Sequence, residues 1–119
     1  MPGSAVSMRG AEMLVTDERL EQALGRLAKS DALAAELHMK MERAEFKAKA
    51  IKDAVFLRAE GSVAERQAIA GTSGDYAQAM EDYFQALQAF DTTKNERARE
   101  VLVIEVWRSL NSARNKGLL

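Results

Sequence analysis

The stretch FLRAEGSVAERQAIAGTSGDY, residues 56–76, decides the fold because it interrupts an otherwise strongly helical sequence. Gly61 is expected to end the preceding helix, since glycine adopts the left-handed C-terminal conformation without a Cβ penalty. Ser62 and Glu65 then have the spacing of a capping box, in which each side chain satisfies a backbone donor of the other residue. This box predicts a short helix over about 63–70.

The end of the short helix and the start of a long helix follow within a few residues. Gly71 is expected to close the short helix. Thr72 or Ser73 then offers a hydroxyl N-cap for a long helix over about 74–115. Because helical sequence continues on both sides, the stretch predicts a chain reversal with a short cross-helix at its tip.

Two helical segments precede this reversal. The pattern predicts one helix over about 17–29, and the Ser30-Asp31 pair, which can start a new cap, predicts a break near residue 30. The next helix, over about 31–59, carries apolar residues in alternating steps of four and three, as in the seam of a coiled coil. Phe46, Phe56 and Leu57 are expected to broaden that seam. The seam residues are Leu37, Met41, Ala44, Ala48, Ile51 and Val55.

Helix lengths favour one antiparallel hairpin. At ~1.5 Å per residue, the helix over 31–59 spans roughly 43 Å and the helix over 74–115 roughly 63 Å. The 17–29 helix has about the length of the difference. The predicted fold is therefore all-α: a coiled-coil-like antiparallel helical hairpin with a cross-helix at the tip and a short N-terminal helix. It is expected to form one domain over 16–117, after a disordered tail at 1–15.

Charge blocks along the chain favour the same arrangement. The net charge of −1 conceals acidic blocks at 1–37 and 59–91 that alternate with basic blocks at 38–58 and 92–119. A hairpin in which paired residue numbers sum to near 132 places each basic block against an acidic one. Each exposed pair contributes on the order of 0–1 kcal/mol, but the pattern disfavours parallel or slipped registers.

The composition excludes several chemistries. The chain has no cysteine, which excludes disulfides and thiolate metal sites. His38 is the single histidine, whereas a helical di-metal carboxylate site needs two Glu-x-x-His motifs. The acidic pairs Glu42/Glu45 and Glu81/Asp82 lie among basic residues on helices and are interpreted as solvated faces. No apolar run approaches the ~18 residues of a membrane span. The sequence therefore predicts a protein without enzymatic activity, cofactor, metal or membrane contact.

Segment 101–110 carries more apolar residues than one helix face can hold. The N-terminal helix can cover one side of it, which leaves another side for an interface. A two-fold dimer is the commonest way to close such a surface, so a homodimer is expected. Burial of Trp107 within the monomer is the alternative. The expected interface residues are Leu20, Leu24, Val103, Val106, Trp107 and Leu110.

Basic residues of the last helix leave a nucleic-acid role open. They supply the positive charge that a phosphate backbone attracts, although the same side chains can instead pair with the acidic block across the hairpin. The candidate nucleic-acid contacts are Arg97, Arg99, Arg108, Arg114 and Lys116.

Three stretches carry a resemblance: FLRAEGSVAERQA (56–68), YAQAMEDYFQAL (76–87) and VWRSLNSARNKG (106–117). They resemble small uncharacterised helical proteins of tailed bacteriophages and prophages, over roughly 17–117. The resemblance implies a bacterial cytoplasmic setting and a link to phage DNA replication or recombination, and it defines no catalytic residues. The leading hypothesis is a non-enzymatic helical protein that binds another protein or itself. The alternatives are a nucleic-acid-binding accessory protein and an inhibitor of a host enzyme.

Overall fold

The computed structural model describes residues 15–118. They form three helices: α1 (Asp17–Arg58), α2 (Val63–Gly71) and α3 (Gly74–Asn115). The described part of the chain contains no strand, and α1 and α3 pack against each other with α2 between them in sequence. The predicted all-α helical hairpin is therefore confirmed. The expected tail lies outside the described residues except for Val15, which is buried.

The described residues group into two compact units. Residues 15–31 and 94–118 form the first, called the terminal unit, and residues 32–93 form the second, called the tip unit. The expectation of one domain over 16–117 stays a prediction.

The expected break near residue 30 is wrong, and the two helices predicted on either side of it are one. The hydroxyl of Ser30 donates to the Leu27 carbonyl at 3.5 Å and accepts from Arg97 Nη1 at 2.6 Å. Arg97 Nη2 lies 3.3 Å from Asp31 Oδ1. Since Arg97 of α3 binds both side chains, neither is available to cap a new helix, and α1 continues through them.

The reversal keeps its predicted residues, with one shift in position. Gly61 has φ +115°, but α1 already ends at Arg58, so this glycine lies in the connection rather than at the helix end. The Ser62 hydroxyl accepts from the Glu65 backbone N–H at 3.2 Å and donates to the Glu65 carboxylate at 3.1 Å. The short helix ends at Gly71, one residue beyond the predicted end and without a positive φ.

Two predictions about α3 are confirmed. Ser73 is its N-cap, because the Ser73 hydroxyl accepts from the Tyr76 backbone N–H at 3.2 Å. The helix runs over Gly74–Asn115, with the predicted bounds.

Contacts within the tip unit define how its two long helices pair. The His38 ring centroid lies 5.2 Å from that of Phe90, and Lys52 Nζ lies 5.2 Å from the centroid of the Tyr76 ring. The register expected from the sequence would place His38 opposite residue 94, so the observed pairing is shifted by about one helical turn. Ala48 and Val55 of the predicted seam are buried.

The expectation that Phe46 and Leu57 broaden the seam is wrong. Their side chains are 75% and 73% exposed, whereas Phe56 is half-buried. Phe46 lies two positions from buried Ala48, and Leu57 two positions from buried Val55, so at 100° per residue each exposed side chain is on the face of α1 opposite the buried one.

Candidate interaction surfaces

The expected interface residues lie mainly in half-buried positions of the terminal unit. Trp107 is among them, and its indole N–H donates to Asp17 Oδ1 at 3.0 Å. Leu24 is 52% exposed and Leu102, which lies inside the same apolar segment, is 57% exposed. The apolar surface of this unit is thus divided between residues that contact their own chain and residues that face solvent. The half-buried members are Leu20, Val103, Val106, Trp107 and Leu110.

An ion cluster centred on buried Glu100 joins α1 and α3 within the terminal unit. Glu100 is only 8% exposed. Arg19 binds it with both terminal nitrogens, Nη2 at 3.0 Å from Oε1 and Nη1 at 2.8 Å from Oε2. Arg26 Nη1 approaches Oε1 at 2.9 Å from the next turns of α1. The Arg19–Glu100 pair therefore combines one charge-assisted hydrogen bond, from Nη2, with one close ion contact, between Nη1 and Oε2, which do not form a hydrogen bond.

The ion cluster also shifts the proton affinity of its members. The hydrogen bond from Arg19, followed by the contribution of Arg26, lowers the pKa of Glu100 below its ordinary value against the opposing effect of burial. The same hydrogen bond raises the pKa of Arg19. Both groups are therefore charged at neutral pH.

Sequence reasoning missed this cluster because it treated charge in blocks. Glu100 is an acidic residue in the basic block of α3, and Arg19 and Arg26 are basic residues in the acidic block of α1. A signal was present, since Arg19 and Arg26 lie seven residues apart and therefore on one face of a helix. The charge blocks predicted acidic residues on α1 paired with basic residues on α3. The Arg97–Asp31 pair has this arrangement, whereas in the Arg19–Glu100 pair the basic residue lies on α1 and the acidic one on α3.

The five basic residues proposed for nucleic acid do not act as a set. The guanidinium of Arg97 contacts the Leu27 carbonyl at 2.8 Å and is engaged with α1. Arg108 and Lys116 border an open depression of about 410 Å³ near the end of α3. Four of the five side chains face solvent: Arg99, Arg108, Arg114 and Lys116.

An apolar stripe of the tip unit, called the outer stripe, was not predicted as a surface. It comprises Met39, Phe46 and Leu57, which are 51%, 75% and 73% exposed. Their spacings of seven and eleven residues put all three on one face of α1. Ala48 and Val55 are buried on the opposite face. In the tip unit α1 is therefore apolar on two sides, and only one of them is covered.

Other kinds of site find little support in the described residues. Over residues 15–118 there is no group of three or more His, Cys, Asp or Glu side chains that could hold a metal ion. The helices of the same residues contain none long and apolar enough to cross a membrane.

Comparisons with protein-family models, with curated proteins and with solved structures find no match.

Proposed function

We propose that the chain is a non-enzymatic helical interaction protein that works through protein–protein contacts. The observation that supports it best is the outer stripe of Met39, Phe46 and Leu57. Large apolar side chains that face water along one face of a helix are a feature of surfaces that bind a partner helix. Full burial of one such side chain contributes about 1.5–3 kcal/mol. Three of them on one helix face can therefore supply much of the driving force for binding a partner.

Self-association is the first contact that we propose. In the terminal unit, Leu24 and Leu102 present apolar area that a second copy can cover, next to the half-buried Trp107. The proposed contact uses segment 101–110 and the N-terminal part of α1. A two-fold arrangement closes such a surface without leaving a free end for further growth.

The cellular setting rests on the resemblance of three stretches to proteins of tailed phages and prophages. It supports a bacterial cytoplasmic protein that assists phage DNA replication or recombination. Inhibition of a host enzyme is the other use of a small binding protein in that setting. Both activities depend on protein–protein contact, so the outer stripe serves either.

Direct nucleic-acid binding is the second candidate. Arg108 and Lys116 border one open depression, which favours contact with a phosphate group. Arg97 is held by α1 and would contribute little. The basic side chains that remain would give weak binding that depends strongly on salt.

Photo-crosslinking tests the interaction function without assuming an identity for the partner. A photoreactive benzoylphenylalanine replaces Phe46 in the tagged chain, and the matched control carries it at Lys52, which is exposed on the same helix about a third of a turn round. Irradiation in the producing cells is expected to give discrete protein adducts at position 46 and few at position 52.

Competition separates specific contact from chance labelling. Excess untagged chain should suppress the adducts at position 46, whereas untagged chain carrying Phe46→Glu and Leu57→Glu should not. If position 46 yields no adducts, or yields the same adducts as position 52, the outer stripe does not bind a partner and the proposed function loses its main support.

A further inference from the structure

A groove lies between α1 and α3 within the tip unit. It has a volume of about 380 Å³. Its floor is formed by Ile51 and Ala54 of α1 and by Ala79 of α3. Two of these three residues are alanines, so another helix could approach the floor closely. The groove is distinct from the outer stripe, whose residues do not line it.

The two walls of the groove carry opposite charges. Lys47 and Arg58 line the α1 side, and Asp75 and Asp82 line the α3 side. Within the described residues, none of these four side chains forms an ion pair. Of the four, only Asp82 has a side-chain hydrogen bond to another described residue, since its Oδ1 accepts from Gln78 Nε2 at 3.0 Å. Four charges with uncommitted pairing capacity therefore border an apolar floor.

This charge pattern is complementary to itself under one symmetry operation. A two-fold axis parallel to the helices, placed over the groove, lays the α1 wall of one copy against the α3 wall of the other. Every basic wall then meets an acidic wall, and it does so twice because the contact is isologous. An axis across the helices would instead set basic on basic and acidic on acidic, which is unfavourable.

The register of the tip unit places the charges at suitable heights. Lys52 is level with Tyr76, as their contact shows. Because α1 and α3 are antiparallel, a residue five positions before Lys52 is level with a residue five positions after Tyr76. Lys47 is therefore level with residue 81, next to Asp82. By the same count Asp75 is level with residue 53, about 7.5 Å along the axis from Arg58. Lys47 and Asp82 are thus at nearly the same height. Arg58 and Asp75 differ in height by an offset that a long arginine side chain can bridge.

We infer that the groove of one copy docks on the groove of a second copy about a two-fold axis parallel to the helices. The contact brings four helices together, with α1 of each copy antiparallel to α3 of the other. The inference rests on the self-association proposed above, whose contact lies in the terminal unit, and adds a second contact in the tip unit with its own symmetry and charge pairs. Within this dimer Lys47 pairs with Asp82 of the second copy, and Arg58 reaches towards Asp75 of the second copy.

Charge reversal on each wall tests the pairing. The first variant carries Lys47→Glu and Arg58→Glu, which makes both walls acidic. The second carries Asp75→Lys and Asp82→Lys, which makes both walls basic. Each variant alone is expected to raise the dimer dissociation constant at least tenfold in sedimentation velocity runs at low salt. The matched control carries Lys49→Glu and Lys94→Glu, which reverse two exposed charges that do not line the groove and should leave the dimer unchanged.

Restoration by mixing makes the test specific. An equimolar mixture of the two variants is expected to recover a dimer containing one chain of each, because one groove is then acidic and the other basic. A variant carrying all four reversals should dimerise with itself again. Since misfolded chains would not recover on mixing, this result separates lost pairing from lost structure.

Two outcomes would overturn the inference, and they differ in what else they affect. A dimer that is insensitive to all these reversals would overturn the groove contact and leave self-association in place. A wild-type chain that is monomeric throughout would remove self-association as well, while the crosslinks at position 46 would still report on binding of another protein.

Discussion

Arg19 and Glu100 form a bidentate ion pair between α1 and α3, with contacts of 3.0 Å and 2.8 Å, in a part of the terminal unit where Glu100 is almost fully buried. The Glu100 carboxylate is the buried member, whereas the Arg19 side chain is 30% exposed, so removing Arg19 would leave a buried charge with less compensation. Arg26 adds a third charge to the same carboxylate. The cluster is thus a sensitive point of the fold.

Glu100→Gln is expected to lower the thermal midpoint by several degrees. The amide keeps the shape of the side chain but removes the negative charge, so the guanidinium groups of Arg19 and Arg26 lose the charge that balances them. Glu96→Gln is the matched control, since Glu96 lies on the same helix and is exposed. Circular dichroism melts of equal midpoint for the two variants would mean that the cluster does not stabilise the protein.

The same carboxylate predicts a dependence of stability on pH. Arg19 and then Arg26 lower the pKa of Glu100 in the folded state, against the effect of burial. Its contribution to stability is therefore complete above the unfolded pKa of about 4.3 and is lost as the pH falls through the lower folded pKa. The midpoint of the wild-type chain should fall more steeply below about pH 4 than that of Glu100→Gln. Parallel curves for the two chains would contradict this assignment.

The reversal predicts a contrast between two glycines. Gly61 has φ +115°, and a Cβ there would lie 2.7 Å from Glu65 Oε2. Gly61→Val should therefore destabilise the chain by ~1–2 kcal/mol, and loss of the cap in Ser62→Ala by about 1 kcal/mol. Gly71→Ala is the control, because a Cβ at Gly71 meets nothing within 4 Å and its φ is not positive. It should be neutral or slightly stabilising. If denaturant titration ranks Gly71→Ala as the most damaging of the three, this description of the turn is wrong.

Nucleic-acid binding is expected to be weak. No specific binding to duplex should appear, and binding to single strands should decline as salt increases, because Arg97 is held by α1 and the other basic side chains are dispersed along α3. Fluorescence anisotropy with labelled oligonucleotides measures this, with Arg108→Ala and Lys116→Ala as a paired variant. Sub-micromolar affinity at physiological salt that falls in this variant would favour the nucleic-acid function over protein interaction.

The caps and helix ends of the reversal could be predicted because they depend on local chemistry. Ser62 and Ser73 each satisfy a backbone N–H three residues ahead, and such bonds need no distant partner. Glycine at position 61 is likewise required by the backbone conformation of that one residue.

Features that depend on a distant partner could not be predicted in the same way. From its neighbours alone, Ser30 is predicted to start a helix. Its hydroxyl instead accepts a hydrogen bond from Arg97, so it does not cap a new helix and α1 continues. The error at Phe46 is of another kind, because Ala48 already belonged to the predicted seam and Phe46 lies about 200° round the helix from it, so the sequence alone could have placed it on the opposite face. Glu100 and Arg19 are separated by 81 residues. Their pairing follows from the three-dimensional register, which the block pattern of charge did not resolve.

Sedimentation equilibrium of the wild-type chain at tens of micromolar tests the claim of self-association most directly. A concentration-dependent mass that approaches twice the 13.1 kDa of the chain is the predicted result. A constant mass of 13.1 kDa across that range would contradict it.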